Sequence, residues 1–109
     1  MVAVEHIRVR TARPFTEVVS RIEAETGLFD AAAVQARVLI GNPLTAARMT
    51  TRQIGAGLYA PLSLLIYADE SGTVLEYDRP SSLFAQFHDA GVDEVARELD
   101  EKMAALVAP

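Results

Sequence analysis

The stretch from Leu58 to Tyr77 limits the folds open to this chain more than any other. Leu58 to Tyr67 is rich in Leu, Ile and Tyr, Asp69-Glu70-Ser71-Gly72 is a run of turn formers, and Thr73 to Tyr77 returns with a second β-prone run. Two such runs around an Asp/Gly turn predict a hairpin, and a hairpin joins its strands antiparallel. Pro61 has no amide hydrogen to give to a ladder, which predicts an edge or a bulge at that point. Tyr67 and Tyr77 flank the turn and are expected as cross-strand neighbours. Glu76 and Asp78 are two residues apart on the same strand, hence expected on one face.

Upstream, Glu5 to Thr11 alternates, with Ile7 and Val9 against His6, Arg8 and Arg10, which predicts a half-buried strand. Pro14 opens a helix whose stripe is Phe15, Val18, Val19 and Ile22, with Gly27 as its stop. Leu28 to Ala36 is ambiguous; Asp30 before Ala31-Ala32-Ala33 could cap a short helix. Arg37 to Ile40 predicts a buried strand ended by Gly41. Asn42-Pro43 predicts the start of a helix to about Gln53, since Asn caps and Pro fits the first helical position. Gly55 and Gly57 end it. Asp78 to Ser82 predicts a turn and Leu83 to Phe87 a helical turn capped by Ser81 and Ser82. After a break at Gly91, Asp93 is expected to cap a last helix with Val95, Ala96, Leu99, Met103 and Leu106 on its apolar stripe. The sum is a single α+β domain over residues 1–109, a mainly antiparallel sheet with helices on one face, in the order β-α-β-α-β-β-α.

Composition narrows the function. The chain has no cysteine, which excludes disulfides and thiolate chemistry. Net charge is −5, unevenly placed: residues 1–52 carry seven arginines against five acids, and residues 53–109 carry three basic groups against ten acids. An acidic protein repels a phosphate backbone, so no nucleic-acid partner is expected. Arg8, Arg10 and Arg13 read as a solvated strand face or as a patch for a small anion. No apolar run approaches the about 18 residues of a membrane span, and no signal-peptide pattern opens the chain. A soluble cytoplasmic protein without a membrane partner is the expectation.

Three places end an apolar run with conformationally special residues: Gly41-Asn42-Pro43, Leu58-Tyr59-Ala60-Pro61-Leu62 and Tyr77-Asp78-Arg79-Pro80-Ser81-Ser82. Such loops are where binding residues concentrate. Gly41-Asn42-Pro43 precedes a helix and offers free N–H groups to an anion, yet it lacks the P-loop and dinucleotide fingerprints and serves equally as a plain turn. His6 and His88 are the two histidines, distant in sequence; with Asp89 and Asp93 they make a weak zinc pattern, so neither a metal nor any other cofactor is expected. Ser81, Ser82 and His88 lack a nucleophile elbow.

The three strings and their spacing resemble the family called domain of unknown function 302. The resemblance spans roughly residues 36–107: Ile40 to Pro43, Gly57 to Pro61, the Asp/Gly hairpin, Tyr77 to Ser82 and the helix from Asp93 to Leu106. It implies a small α+β domain like half of a TATA-binding-protein-like fold, often dimeric, and no established reaction. Between Gly27 and Arg37 this chain is shorter than longer members. The leading functional expectation is a non-enzymatic, homo-oligomeric domain, a dimer, binding a small molecule or anion through Gly41, Asn42, Pro43, Tyr59, Pro61, Tyr77, Asp78, Ser81 and Ser82. The alternative is a small-molecule enzyme with Asp78 and His88 as acid and base.

Overall fold

In a computed structural model, which describes residues 3–26, 29–31 and 35–108, the central hairpin is β4 (Leu62–Asp69) and β5 (Gly72–Asp78). Asp69 pairs with Gly72, so Glu70-Ser71 alone makes the turn, and Asp69 Oδ1 accepts the Ser71 N–H at 3.0 Å. Around the hairpin lie β1 (His6–Thr11), β2 (Phe29–Ala31) and β3 (Gln35–Ile40), giving a five-stranded sheet of order β1-β5-β4-β3-β2. Every neighbouring pair is antiparallel.

The register sorts the side chains. Val9, Leu75 and Ile66 lie across from one another on one face, as do Val38 with Leu64, Ile40 with Leu62, and Ile7 with Tyr77. That face is covered by α1 (Phe15–Thr26), α2 (Pro43–Thr50), α3 (Pro80–Phe84) and α4 (Ala90–Val107), which add Val18, Ile22, Met49, Phe84, Val92, Val95, Ala96, Leu99, Met103 and Leu106 to one continuous core. The other face carries His6, Arg8, Arg10, Ser63, Leu65, Tyr67, Glu76 and Asp78. The α+β arrangement with helices on one face of an antiparallel sheet is the one the sequence predicts. In α1, Val18 and Ile22 are fully buried, with Phe15 and Val19 half-buried beside them. Its expected stop, Gly27, lies outside the described residues, as do Leu28 and Ala32 to Val34.

Several local expectations are corrected. Asp30 belongs to β2, in register with Arg37, and caps no helix. Helix α2 stops at Thr50, and Ile54–Tyr59 forms a 3-10 helix where the first hairpin strand was expected to begin. Pro61 lies at neither an edge nor a bulge. It precedes the third of five strands across a cis Ala60–Pro61 bond, and pairing starts at Leu62, so its missing N–H leaves no gap in the ladder. Tyr67 and Tyr77 are not neighbours: Tyr67 faces Val74, and Tyr77 is three residues beyond Val74, an odd step that turns it to the core. The last helix begins four residues early. Asp89, not Asp93, caps it, accepting from Gly91 N at 2.9 Å and Val92 N at 3.1 Å. The earlier start brings Val92, fully buried, into the stripe, and Gly91 lies inside the first turn. Ser81 and Ser82 lie inside α3 after Pro80 and do not cap it. The Ser81 N–H is instead received at 2.8 Å by Asp100 of α4, and Ser82 Oγ donates to Arg79 O at 2.7 Å while accepting from Glu5 N at 2.9 Å.

Gly72 has φ +149°, and a Cβ there would stand 2.2 Å from Thr11 O on β1. Gly72→Ala therefore has both a strained backbone and a clash against the neighbouring strand. We expect a loss of about 1–3 kcal/mol in urea-unfolding stability; an unchanged midpoint contradicts this reading of the turn.

Candidate functional site

The strand-to-helix turn Gly41-Asn42-Pro43 follows β3, and Ala60-Pro61 leads into the adjacent β4, so the antiparallel pairing of Ile40 with Leu62 brings the two strings together at one end of the sheet. Asn42 caps α2 by accepting the Leu44 N–H at 2.8 Å, and Pro43 takes the first helical position. The contact is close enough that a Cβ on Gly41 would sit 2.9 Å from Pro61 Cβ.

Beneath this crossing lies a cavity of about 290 Å³, walled by Leu39 and Ile40, the Gly41-Asn42-Pro43 turn, Ala46 and Met49 of α2, Ala60 to Leu62, Phe84 of α3 and Leu99 of α4. It is predominantly apolar. The polar side chains on its wall are Asn42, Thr45 and Lys102. Asn42 is occupied as a cap; Lys102, the single lysine in the chain, is exposed.

Of the residues expected from sequence, Gly41, Asn42, Pro43 and Pro61 line this cavity, and the others do not. Tyr59 stacks edge-on against Phe84 and Phe87, each at 6.2 Å between ring centres, and reaches the cavity only through Phe84. Tyr77 is a core residue, 7% exposed. Ser81 and Ser82 do the structural work described above. The sequence reading missed Thr45, Ala46, Met49, Phe84, Leu99 and Lys102. The available signal was the spacing of Leu99 and Lys102, one helical turn apart, and the isolation of one lysine among arginines.

A second cluster occupies the opposite face of the sheet. His6 bridges two carboxylates, Nε2 to Glu76 Oε1 at 2.6 Å and Nδ1 to Asp78 Oδ1 at 2.8 Å. The Tyr67 hydroxyl donates to Glu76 Oε2, and Arg8 Nε lies 4.0 Å from the same oxygen. Further along, Arg10 pairs with Asp69. Glu76 and Asp78 do share a face, and β1 supplies their histidine. The bond to Glu76, then that to Asp78, raises the His6 pKa from its ordinary 6.5. The Tyr67 and His6 bonds lower that of Glu76 from 4.5. Among the described residues no group of three or more His, Asp or Glu is placed to hold a metal ion. Asp89 is held by the Arg52 guanidinium at 2.7 Å and by the α4 N–H groups, which bring its pKa down to about 2. His88 ends a 3-10 turn (Ala85–Phe87) in the left-handed conformation, φ 49°, exposed to solvent. Asp78 and His88 thus both sit on open surface, and neither lines the cavity.

These features define a small α+β domain with an open sheet face and an apolar cavity at one sheet end. The chain belongs to the family described as domain of unknown function DUF302, whose model matches residues 29–108. A crystal structure of an uncharacterised conserved DUF302 protein from Bacillus stearothermophilus is similar in fold, with a TM-score of 0.77 and 22% identity over 96% of this chain and 97% of that one. No curated protein matches the chain.

Two predictions follow from the geometry. Gly41→Ala pushes the turn off Pro61, and the proline ring has little freedom to yield, so unfolding stability should fall by about 1–3 kcal/mol; chemical denaturation of the variant beside the parent protein measures it, and equal stability rules the contact unimportant. The second concerns pH. A raised His6 pKa contributes stability that is fully present below 6.5 and lost as pH rises through the raised value. The depressed Glu76 pKa contributes stability present above 4.5 and lost as pH falls through its lowered value. The gap between the parent and His6→Ala should therefore be open between those two limits and narrow toward alkaline pH. It should be small, since His6 is 56% exposed and solvent screens the pair. A gap that widens with rising pH overturns the assignment.

Proposed function

We propose that this protein is a small-ligand-binding domain rather than a catalyst, and that the cavity under the Gly41–Pro61 crossing is its site. The observation that carries the reading is the composition of the wall. It borders a half-open apolar space close to the lower end of the about 300–1,000 Å³ range for small-molecule sites, yet presents no carboxylate, imidazole or thiol. Acid–base or nucleophilic catalysis needs at least two such groups converging on one point. The titratable cluster of His6, Glu76 and Asp78 lies on the opposite side of the sheet, with its members already satisfied by one another. Asp78 and His88 are both exposed, and neither lines the cavity.

The homodimer expected from sequence belongs to the same proposal. Leu44, Ile54 and Leu58 are 78%, 85% and 80% exposed, and exposed apolar side chains of this size favour association. No helix among the described residues is long and apolar enough to cross a membrane, in keeping with a cytoplasmic setting.

Native mass spectrometry of freshly purified protein tests both parts at once. The expected spectrum is a dimer that retains a small molecule, and Ala46→Phe, which fills the cavity, should lose the adduct while keeping its helical circular dichroism. An adduct retained equally by Ala46→Phe places the ligand elsewhere, and a monomer at all concentrations removes the dimer.

A further inference from the structure

Resting on the reading of the cavity as a ligand site, we propose that its ligand is a small organic carboxylate with an apolar body, of the size of benzoate or octanoate, whose anionic end lies against Lys102. The wall of the cavity is sided. Ile40, Met49, Leu62, Phe84 and Leu99 are buried and contribute only apolar side chains, so an apolar body is the part of a ligand they reward. The charged group on the wall is a single cation.

What distinguishes Lys102 is that its natural partners are spoken for. Glu98 stands one turn earlier on α4, at the i, i+4 spacing that ordinarily pairs with lysine. It is instead gripped by Arg48 of α2, through Nη2 at 2.6 Å and Nη1 at 3.2 Å. Asp100 is turned to the Ser81 N–H. Glu101 is the adjacent residue, and adjacent helical side chains do not face each other. Among the described residues Lys102 forms no ion pair or hydrogen bond. The cavity rim therefore has a positive charge that a chain of net charge −5 leaves uncompensated, although it holds six arginine–carboxylate pairs among its described residues.

The wall offers one further donor set. Within the first turn of α2, Pro43 has no N–H, the Leu44 N–H goes to Asn42 Oδ1 and the Ala46 N–H to Asn42 O at 2.9 Å. The Thr45 N–H and hydroxyl carry no partner among the described residues, and Thr45 lines the cavity. A carboxylate is acceptor-only and can use both an ammonium and such neutral donors; an alcohol of the same shape gains far less from the ammonium. A dianion is a poorer fit, because one exposed cation does not balance two charges in an otherwise acidic protein.

The test compares octanoate with 1-octanol, and benzoate with benzyl alcohol, by calorimetric or NMR titration at low salt against the intact chain, Lys102→Gln and Ala46→Phe. The acid should bind about 1.5-fold to fivefold tighter than the alcohol, the range an exposed charge pair supplies. In Lys102→Gln that preference should vanish with alcohol affinity unchanged. It should also shrink in 1 M salt, where charges are screened over about 3 Å. Ala46→Phe should lose acid and alcohol alike. If acid and alcohol bind the parent protein equally, or Lys102→Gln keeps the preference, the carboxylate assignment is wrong while the cavity remains a ligand site. If neither pair of probes binds, or both bind Ala46→Phe as well as the parent, the cavity reading falls and the carboxylate with it.

Discussion

The period-two alternation of β4 and β5 is the constraint on which everything else rests. Leu62, Leu64 and Ile66, with Leu75 and Tyr77, make one face of the hairpin dry, and the same residues pair outward to Ile40 and Val38 on one side and to Ile7 and Val9 on the other. A register slip of one residue anywhere in this set would bring Glu76 or Arg8 against the helices, where an unpaired charge is costly. The alternation thus decides which face receives α1 to α4 and leaves the other to polar pairing. Val74 shows how complete the sorting is: it is fully buried yet stands apart from the helix-side core, flanked in register by the long side chains of Arg10 and Tyr67.

The cavity is a consequence of how that dry face ends. At the Ile40–Leu62 end, β3 leaves the sheet through Gly41, which has no side chain, and β4 enters it just after Pro61, whose ring closely approaches that glycine. Helix α2 departs from there and is pulled toward α4 by Arg48 and Glu98, while its other end is tied through Arg52 and Gln53 to Asp89 at the start of α4. The two helices are therefore tied to each other by polar bonds at their flanks, and Met49, Leu99 and Phe84, each part of the core, form the floor of the cavity beside them. Close packing is the rule in protein interiors, so an opening of this size, kept by several separate contacts, is a structural feature with its own supports.

Much of this was legible from sequence where a rule is local. The alternation of Ile7 and Val9, the stripe of Val18 and Ile22, and the Asn42-Pro43 helix start depend on neighbours within a turn or two, and each stands as expected. What was not legible depends on contacts between distant segments. His6 meets Glu76 and Asp78 only because β1 pairs with β5, and no local pattern names a strand's partner. The expected cap at Asp93 gives way to Asp89, whose earlier start brings Val92 into the core, and the cap of α3 comes from Asp100, a helix away. The candidate site divides along the same line. Gly41, Asn42, Pro43 and Pro61 were flagged by their conformational peculiarity, whereas Met49, Phe84 and Leu99 read as ordinary core residues, because lining a cavity and filling a core use the same hydrophobic alphabet.

The two polar features of the molecule argue in opposite directions, and the contrast bears on function. On the open sheet face, His6, Glu76, Asp78, Tyr67 and Arg8 form a closed set in which each charge has an opposite charge or donor within reach. Such a set is stable because it needs nothing further, and it shows little that a ligand could complete. At the cavity the polar groups are few, and Lys102 and Thr45 are left without partners among the described residues. A group that the fold could have paired, with Glu98 one turn away, but did not, gives a ligand something to gain on arrival that it cannot gain at the sheet face. The asymmetry between a satisfied cluster and an unsatisfied rim is what favours the proposal of a site at the Gly41–Pro61 end of the sheet over one at the cluster richest in titratable side chains.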